Sequence, residues 1–106
     1  MNLIDQYRDQ IIRLCESNGV MSLYAFGSVL GDKFKADSDI DLLVEIDDAD
    51  PFSYTDKYFS LKFHLEELLK RQIDLLEQKA IKNRFIQSEI DRTKVLIYGR
   101  GNKGLA

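Results

Sequence analysis

Residues 24–45 constrain the fold more than any other stretch of this chain. A short alternating run ends in Gly27-Ser28, a polar loop spans 29–38, and Asp39-Ile40-Asp41 opens a second apolar run. Successive side chains of a strand point to opposite faces. Ile40, Leu42, Val44 and Ile46 then share one face, wholly apolar, which reads as the core face. Asp39, Asp41, Leu43 and Glu45 share the other. The rise of a strand puts the two aspartates roughly 7 Å apart at Cα. Carboxylates that close repel, and one tends to keep its proton unless a cation lies between them. Hard oxygen donors in such a pair suit Mg²⁺ or Mn²⁺, above all where substrate phosphates complete the shell.

The first run complements the second. Leu23, Ala25 and Gly27 alternate with Tyr24 and Phe26, which predicts a strand over 21–27. Gly27 lets a ligand or another backbone approach closely. Ser28 stands where a short helix can start, and the free N–H groups of a helix start, with a hydroxyl beside them, cradle phosphate. Taken singly, Gly-Ser also reads as a turn with a serine cap, and Asp-x-Asp as a solvated strand end. Joined by one loop between two apolar strands, they are far more specific.

The 106 residues suffice for one domain with a modest core. A net charge of −3 argues against a broad nucleic-acid-binding surface, which shows a basic face. It leaves room for a nucleotide, whose charge a metal offsets. Cys15 is the single cysteine, so no internal disulfide forms, which fits a reducing cytoplasm. No apolar run approaches membrane-spanning length, and the first residues lack the basic-then-apolar layout of a signal peptide.

Along the chain, helical spacing of Ile4, Tyr7, Ile11 and Leu14 predicts a helix over 3–17, stopped at Gly19. Cys15 reads as a small buried hydrophobe. The acids of 47–50 with Pro51, the only proline, read as a solvated loop that caps the next helix. That helix is expected over 55–70, with Tyr58, Leu61, Leu65 and Leu68 inward, Glu66 and Lys70 paired outside, and His64 at the surface. Residues 72–77 read as a third strand, with Ile73 and Leu75 on one face and Asp74 on the other. Asp74 is either a solvent-facing acid on an edge strand or a group with a use. The basic residues of 79–84 read as solvated. A short helix over 84–92 runs through Phe85, Ile86 and Ile90, 95–98 closes as a strand, and the glycine-bearing 99–106 is expected to form a flexible tail after a single domain at 1–98.

The pattern of Gly27-Ser28, ten intervening residues, Asp39-Ile40-Asp41 and an apolar strand resembles the signature of the DNA polymerase β-like nucleotidyltransferases. It looks most like the minimal nucleotidyltransferases (MNT) that often pair with a HEPN-domain protein. The resemblance implies an α/β (α+β) fold, a small mixed sheet with helices packed against it. It implies transfer of a nucleoside monophosphate, AMP from ATP foremost, to an acceptor hydroxyl. Carried over residue by residue, Gly27 and Ser28 would hold the triphosphate. Asp39 and Asp41 would bind two Mg²⁺ ions, with Asp74, the third carboxylate on the next strand, completing the site. A HEPN toxin is the implied partner, with the chain as its antitoxin. Two readings compete: an antitoxin that blocks its partner by binding alone, and transfer to a small molecule, which a chain of this length is not expected to enclose by itself. One departure stands out. Many minimal members carry arginine just after Gly-Ser, whereas Val29 and Leu30 follow here, leaving Lys33, Lys35 or the partner to grip phosphate.

Overall fold

A computed structural model describes residues 2–31 and 38–100, the side chains of Asn2 and Ser28 excepted. Helices α1 (Asn2–Gln6) and α2 (Arg8–Ser17) lead into β1 (Val20–Phe26) and a 3-10 turn over Gly27–Leu30. Strand β2 (Ile40–Ile46), helix α3 (Pro51–Leu69), β3 (Ile73–Glu77), a second 3-10 turn (Gln78–Ala80), α4 (Arg84–Thr93) and β4 (Val95–Gly99) follow. The strands lie in the order β3-β2-β1-β4. The two pairs that involve β1 are antiparallel and β2–β3 is parallel. This is the mixed sheet expected, and α3 is the crossover that a parallel pair requires.

One face of the sheet carries the main core. Leu23, Ala25, Ile40, Leu42, Val44, Ile73 and Leu75 are buried there together with Ile11, Leu61 and Leu65 of the helices. Cys15 is fully buried with them, and burial pushes its thiol up to about 12. The N-terminal helix expected as one piece breaks at Tyr7, whose N–H donates to Ile4 at 3.2 Å while its own carbonyl accepts from Ile11 at 3.0 Å. The break lets both Ile4 and Ile11 reach the core.

Helix α3 starts four residues earlier than its periodicity suggested. Asp50 caps it, accepting from the Ser53 N–H at 3.1 Å, and Pro51 occupies the first turn, where a missing N–H costs nothing. Its inward set is Tyr54, Leu61, Leu65 and Leu69, with Tyr58 and Leu68 half-buried. The expected Glu66–Lys70 pair does not form. Lys70 has left the helix at φ 56°, and Glu66 instead takes Lys62 at 2.8 Å and the Ile73 N–H at 3.1 Å, which ties the helix to the start of β3. His64 is exposed, as expected, and its ring lies 2.6 Å from the Ser60 carbonyl. β4 runs through Gly99, and Arg100 pairs with Asp47 at 2.7 Å, so the start of the expected tail is built into the fold; 101–106 lie outside the described residues.

The second face is only partly covered. Leu43 of β2 and Ile90 of α4 are buried there, outside the main core. Helix α4 forms where expected, through Phe85, Ile86 and Ile90, and it leaves Phe85 85% and Ile86 51% exposed. The Gln78 side-chain amide donates to the Gln87 side-chain oxygen at 2.9 Å and joins the helix to the turn after β3.

Candidate active site

The second face carries the acids. Antiparallel pairing sets Phe26 opposite Asp41, and parallel pairing sets Asp41 opposite Asp74. The row Phe26, Asp41, Asp74 therefore crosses three adjacent strands spaced about 4.8 Å apart. The row beneath it is Tyr24, Leu43 and Leu76. Strand alternation explains the sorting. Ile73 and Leu75 are buried on the core side, so Asp74 between them must point the other way, and it is exposed.

Asp41 is half-buried, and its carboxyl is held above the usual carboxylate range. Burial is the largest cause, followed by the charge of Asp74, that of Asp39, and a hydrogen bond to Asp74. A cation placed between the two carboxyls would relieve this repulsion. Asp39 lies one residue ahead of β2, exposed, near enough to act on Asp41 by charge. Among the described residues no three His, Cys, Asp or Glu side chains converge on one metal position. The arrangement is a carboxyl pair with Asp39 at its margin.

Gly27 completes the geometry. Its φ of +75° is left-handed, and a Cβ there would run into the Asp41 carboxylate, with Asp41 Cγ only 3.3 Å away. Two independent constraints therefore require glycine. The 3-10 turn that begins at Gly27 is the short helix start expected, and it turns Val29 into the core. That burial accounts for the apolar residue just after Gly27-Ser28. The Ser28 side chain, Lys33 and Lys35 lie outside the described groups.

Other acids are accounted for elsewhere. Glu77 faces α3, where the Tyr54 hydroxyl donates to it at 2.8 Å and Lys79 lies 3.7 Å from the Tyr54 ring centre. Burial, then the Glu77 bond, raises the Tyr54 hydroxyl above its ordinary range. Asp48 accepts from the Asp50 N–H and pairs with Lys57 at 2.9 Å. Hydrogen bonds from Ser53, Lys57 and that N–H hold it down at about 2.

A sequence profile described as "Polymerase beta, Nucleotidyltransferase" matches residues 9–103. The chain belongs to this nucleotidyltransferase family. Its relatives include two proteins of Methanocaldococcus jannaschii that bear the name "Putative protein adenylyltransferase". One is 31% identical over 78 residues, covering 74% of this chain and 77% of the relative. The other is 33% identical over 84 residues, covering 79% and 83%. A solved structure described as a "putative minimal nucleotidyltransferase" superposes with a TM-score of 0.72 at 25% identity, over 87% of this chain and 90% of that one. A toxin-antitoxin structure with AMP-PNP matches at TM-score 0.67 and 22% identity over 92% of this chain and 78% of that one. A Shewanella oneidensis complex of a tri-AMPylated HEPN toxin with its MNT antitoxin matches at 0.63 and 20%, over 95% and 76%. At those identities the last two support the fold alone. The chain is thus a nucleotidyltransferase of polymerase β-like fold. No helix among its described residues is long and apolar enough to cross a membrane.

Sequence reasoning had missed the role of α4 on this face. The signal was present in Phe85-Ile86, two large apolar residues at the start of a helix whose remaining residues are mostly polar.

Proposed function

We propose that this nucleotidyltransferase moves AMP from ATP to a hydroxyl of a protein partner, a HEPN-domain toxin, and so serves as its antitoxin in the cytoplasm. The observation that carries the reading is Asp41, paired across the strands with Asp74 and lying against Gly27. Two carboxyls set side by side, next to a backbone position where no side chain fits, are arranged to receive a cation or a charged group from outside. The names of the relatives support an adenylyl donor and a protein acceptor, and the neighbouring antitoxin complexes support the partner.

Asp39, Asp41 and Asp74 would hold Mg²⁺, two ions in the full complement, and the metal would supply charge stabilisation of the attacking and leaving oxygens. Gly27 and Ser28 would seat the triphosphate. The acceptor oxygen bonds to the α-phosphorus, the bond from that phosphorus to the bridging oxygen of the β-phosphate breaks, and pyrophosphate leaves. Asp74, the exposed member of the pair, takes the acceptor's proton. Little else is needed, because phosphoryl transfer depends mainly on positioning and charge.

Calorimetric titration of ATP into the protein, with and without Mg²⁺, tests the donor site. Binding should require the metal and be lost in Asp41→Asn. Affinity indifferent to both rejects the site. Incorporation of α-labelled phosphate into the co-expressed partner tests the acceptor. A tight complex with no incorporation by the wild type favours the binding-only antitoxin.

A further inference from the structure

The acids are not the only feature of the second face. Beside them α4 stands over the sheet and leaves a cleft of about 410 Å³, bounded by Phe26, Gly27, Leu76, Phe85, Ile86 and Ile90. Its size is that of a small-ligand pocket, and its walls are almost entirely apolar. Phe85 stands at this cleft 85% exposed, a costly placement for a phenyl ring with nothing to cover it.

We propose that this cleft is the nucleobase pocket, with Phe85 and Ile86 as the wall against which the base stacks. The proposal rests on the reading of Asp41 and Asp74 as the nucleotide site. What selects the base over other occupants is continuity. Gly27 lines the cleft and also lies against the Asp41 carboxylate, so one residue is shared by the cleft and the proposed phosphate seat. A nucleotide whose phosphates lie at Gly27 and the acids carries its nucleoside within reach of the cleft. Aromatic and aliphatic walls hold a base by its flat face.

The same walls determine how the base is read. Among the described lining residues only Glu89 and Thr93 carry polar side chains. Both are engaged: Glu89 accepts from Arg92 at 2.6 Å, and the Thr93 hydroxyl donates to the Glu89 carbonyl at 2.8 Å. The base is therefore held by stacking, which every base offers, rather than by hydrogen bonds at its edge. Purines, with the larger face, bind better than pyrimidines, and ATP and GTP bind within about 10-fold of each other.

Comparison of ATP, GTP and CTP with inorganic tripolyphosphate, all with Mg²⁺, tests the proposal, because tripolyphosphate has the charge and no base. Wild type should bind ATP at least about 10-fold more tightly than tripolyphosphate, within the range measured for base stacking on aromatic side chains. Phe85→Ala and Ile86→Ala should remove most of that difference and leave tripolyphosphate affinity within about 2-fold. The chain has no tryptophan, so Phe85→Trp provides a single indole, excited selectively at wavelengths beyond tyrosine absorption, that ATP should quench and tripolyphosphate should not. Equal metal-dependent binding of ATP and tripolyphosphate by the wild type would overturn the pocket while leaving the phosphate site standing. Loss of labelling of a protein acceptor in Phe85→Ala, with ATP affinity unchanged, would overturn it in favour of acceptor docking. If the wild type binds no polyphosphate at all, the nucleotide site fails and the pocket falls with it.

Discussion

The two faces of one four-stranded sheet have been put to opposite uses. On the first, Leu23, Leu42, Val44, Ile73 and Leu75 meet α2 and α3 in a closed core. On the second, residues one step along the same strands form a row of acid and aromatic side chains, with one short helix covering part of it. The pleat forces this division, since neighbours in sequence cannot share a face. The lesson is that burial here follows what packs above each row. Leu43, on the acid face, is as buried as Leu42 on the core face, although it stands outside the main core.

The sharpest way to break the comparison is to truncate those two adjacent leucines. Leu42→Ala should destabilise the fold by about 3–5 kcal/mol, and Leu43→Ala by about 2–3 kcal/mol, because Leu43 stands outside the main core, where the thinner packing collapses more easily into the space left. Chemical denaturation measures both, and a Leu43 cost equal to or above that of Leu42 would show that the second face is as rigidly packed as the first.

Asp74→Asn should leave stability nearly unchanged and lower transfer by about 10²-fold, the lower end of what a positioned proton acceptor contributes. Labelled transfer to the partner, measured alongside thermal unfolding, separates the two effects. An undiminished rate would remove Asp74 from the site.

Gly27→Ala should cost about 1–2 kcal/mol through the left-handed φ, and should also abolish metal-dependent nucleotide binding by displacing Asp41. The same change at a glycine needed only for its turn would alter stability alone, so the paired measurement tells which constraint governs.

Two acids should respond to pH in opposite directions. Asp41 has its folded value raised, so its contribution to stability is present below the ordinary carboxylate range and is lost as pH rises through the raised value. Asp48, lowered to about 2, contributes above its ordinary value, and that contribution is lost as pH falls towards 2. In metal-free protein near neutral pH, Asp41→Asn should therefore raise Tm, by about 1–4 °C once solvent screening of a half-exposed group is allowed for. Asp48→Asn should lower it slightly. A drop in Tm for Asp41→Asn would mean that the carboxyl pair stabilises the fold instead of straining it.

The strands, the order of elements and the sorting of Asp41 and Asp74 to one face were legible in the sequence because strand alternation is local. Burial of Ile73 and Leu75 requires Asp74 to point the other way whatever packs around it. Gly27-Ser28 and Asp39-Ile40-Asp41 pointed to the proposed site for a similar reason, since the chemistry of phosphate and metal restricts residue type at each position. Boundaries were less legible. The start of α3 at Pro51 was hidden because proline reads equally as a loop residue and as the first residue of a helix. The break at Tyr7 serves the depth to which Ile4 and Ile11 must reach, which no local pattern records.

What the tertiary structure alone decided is register and cover. Pairing of Asp41 with Asp74, and not with a neighbour, depends on how two strands separated by a 19-residue helix come into line. The exposure of Phe85 and Ile86 depends on where α4 comes to rest against β3 and its turn. Their apolar character is written in the chain, but a hydrophobic side chain is buried only if another element reaches it. That is a property of the assembled sheet and helices rather than of any stretch of sequence.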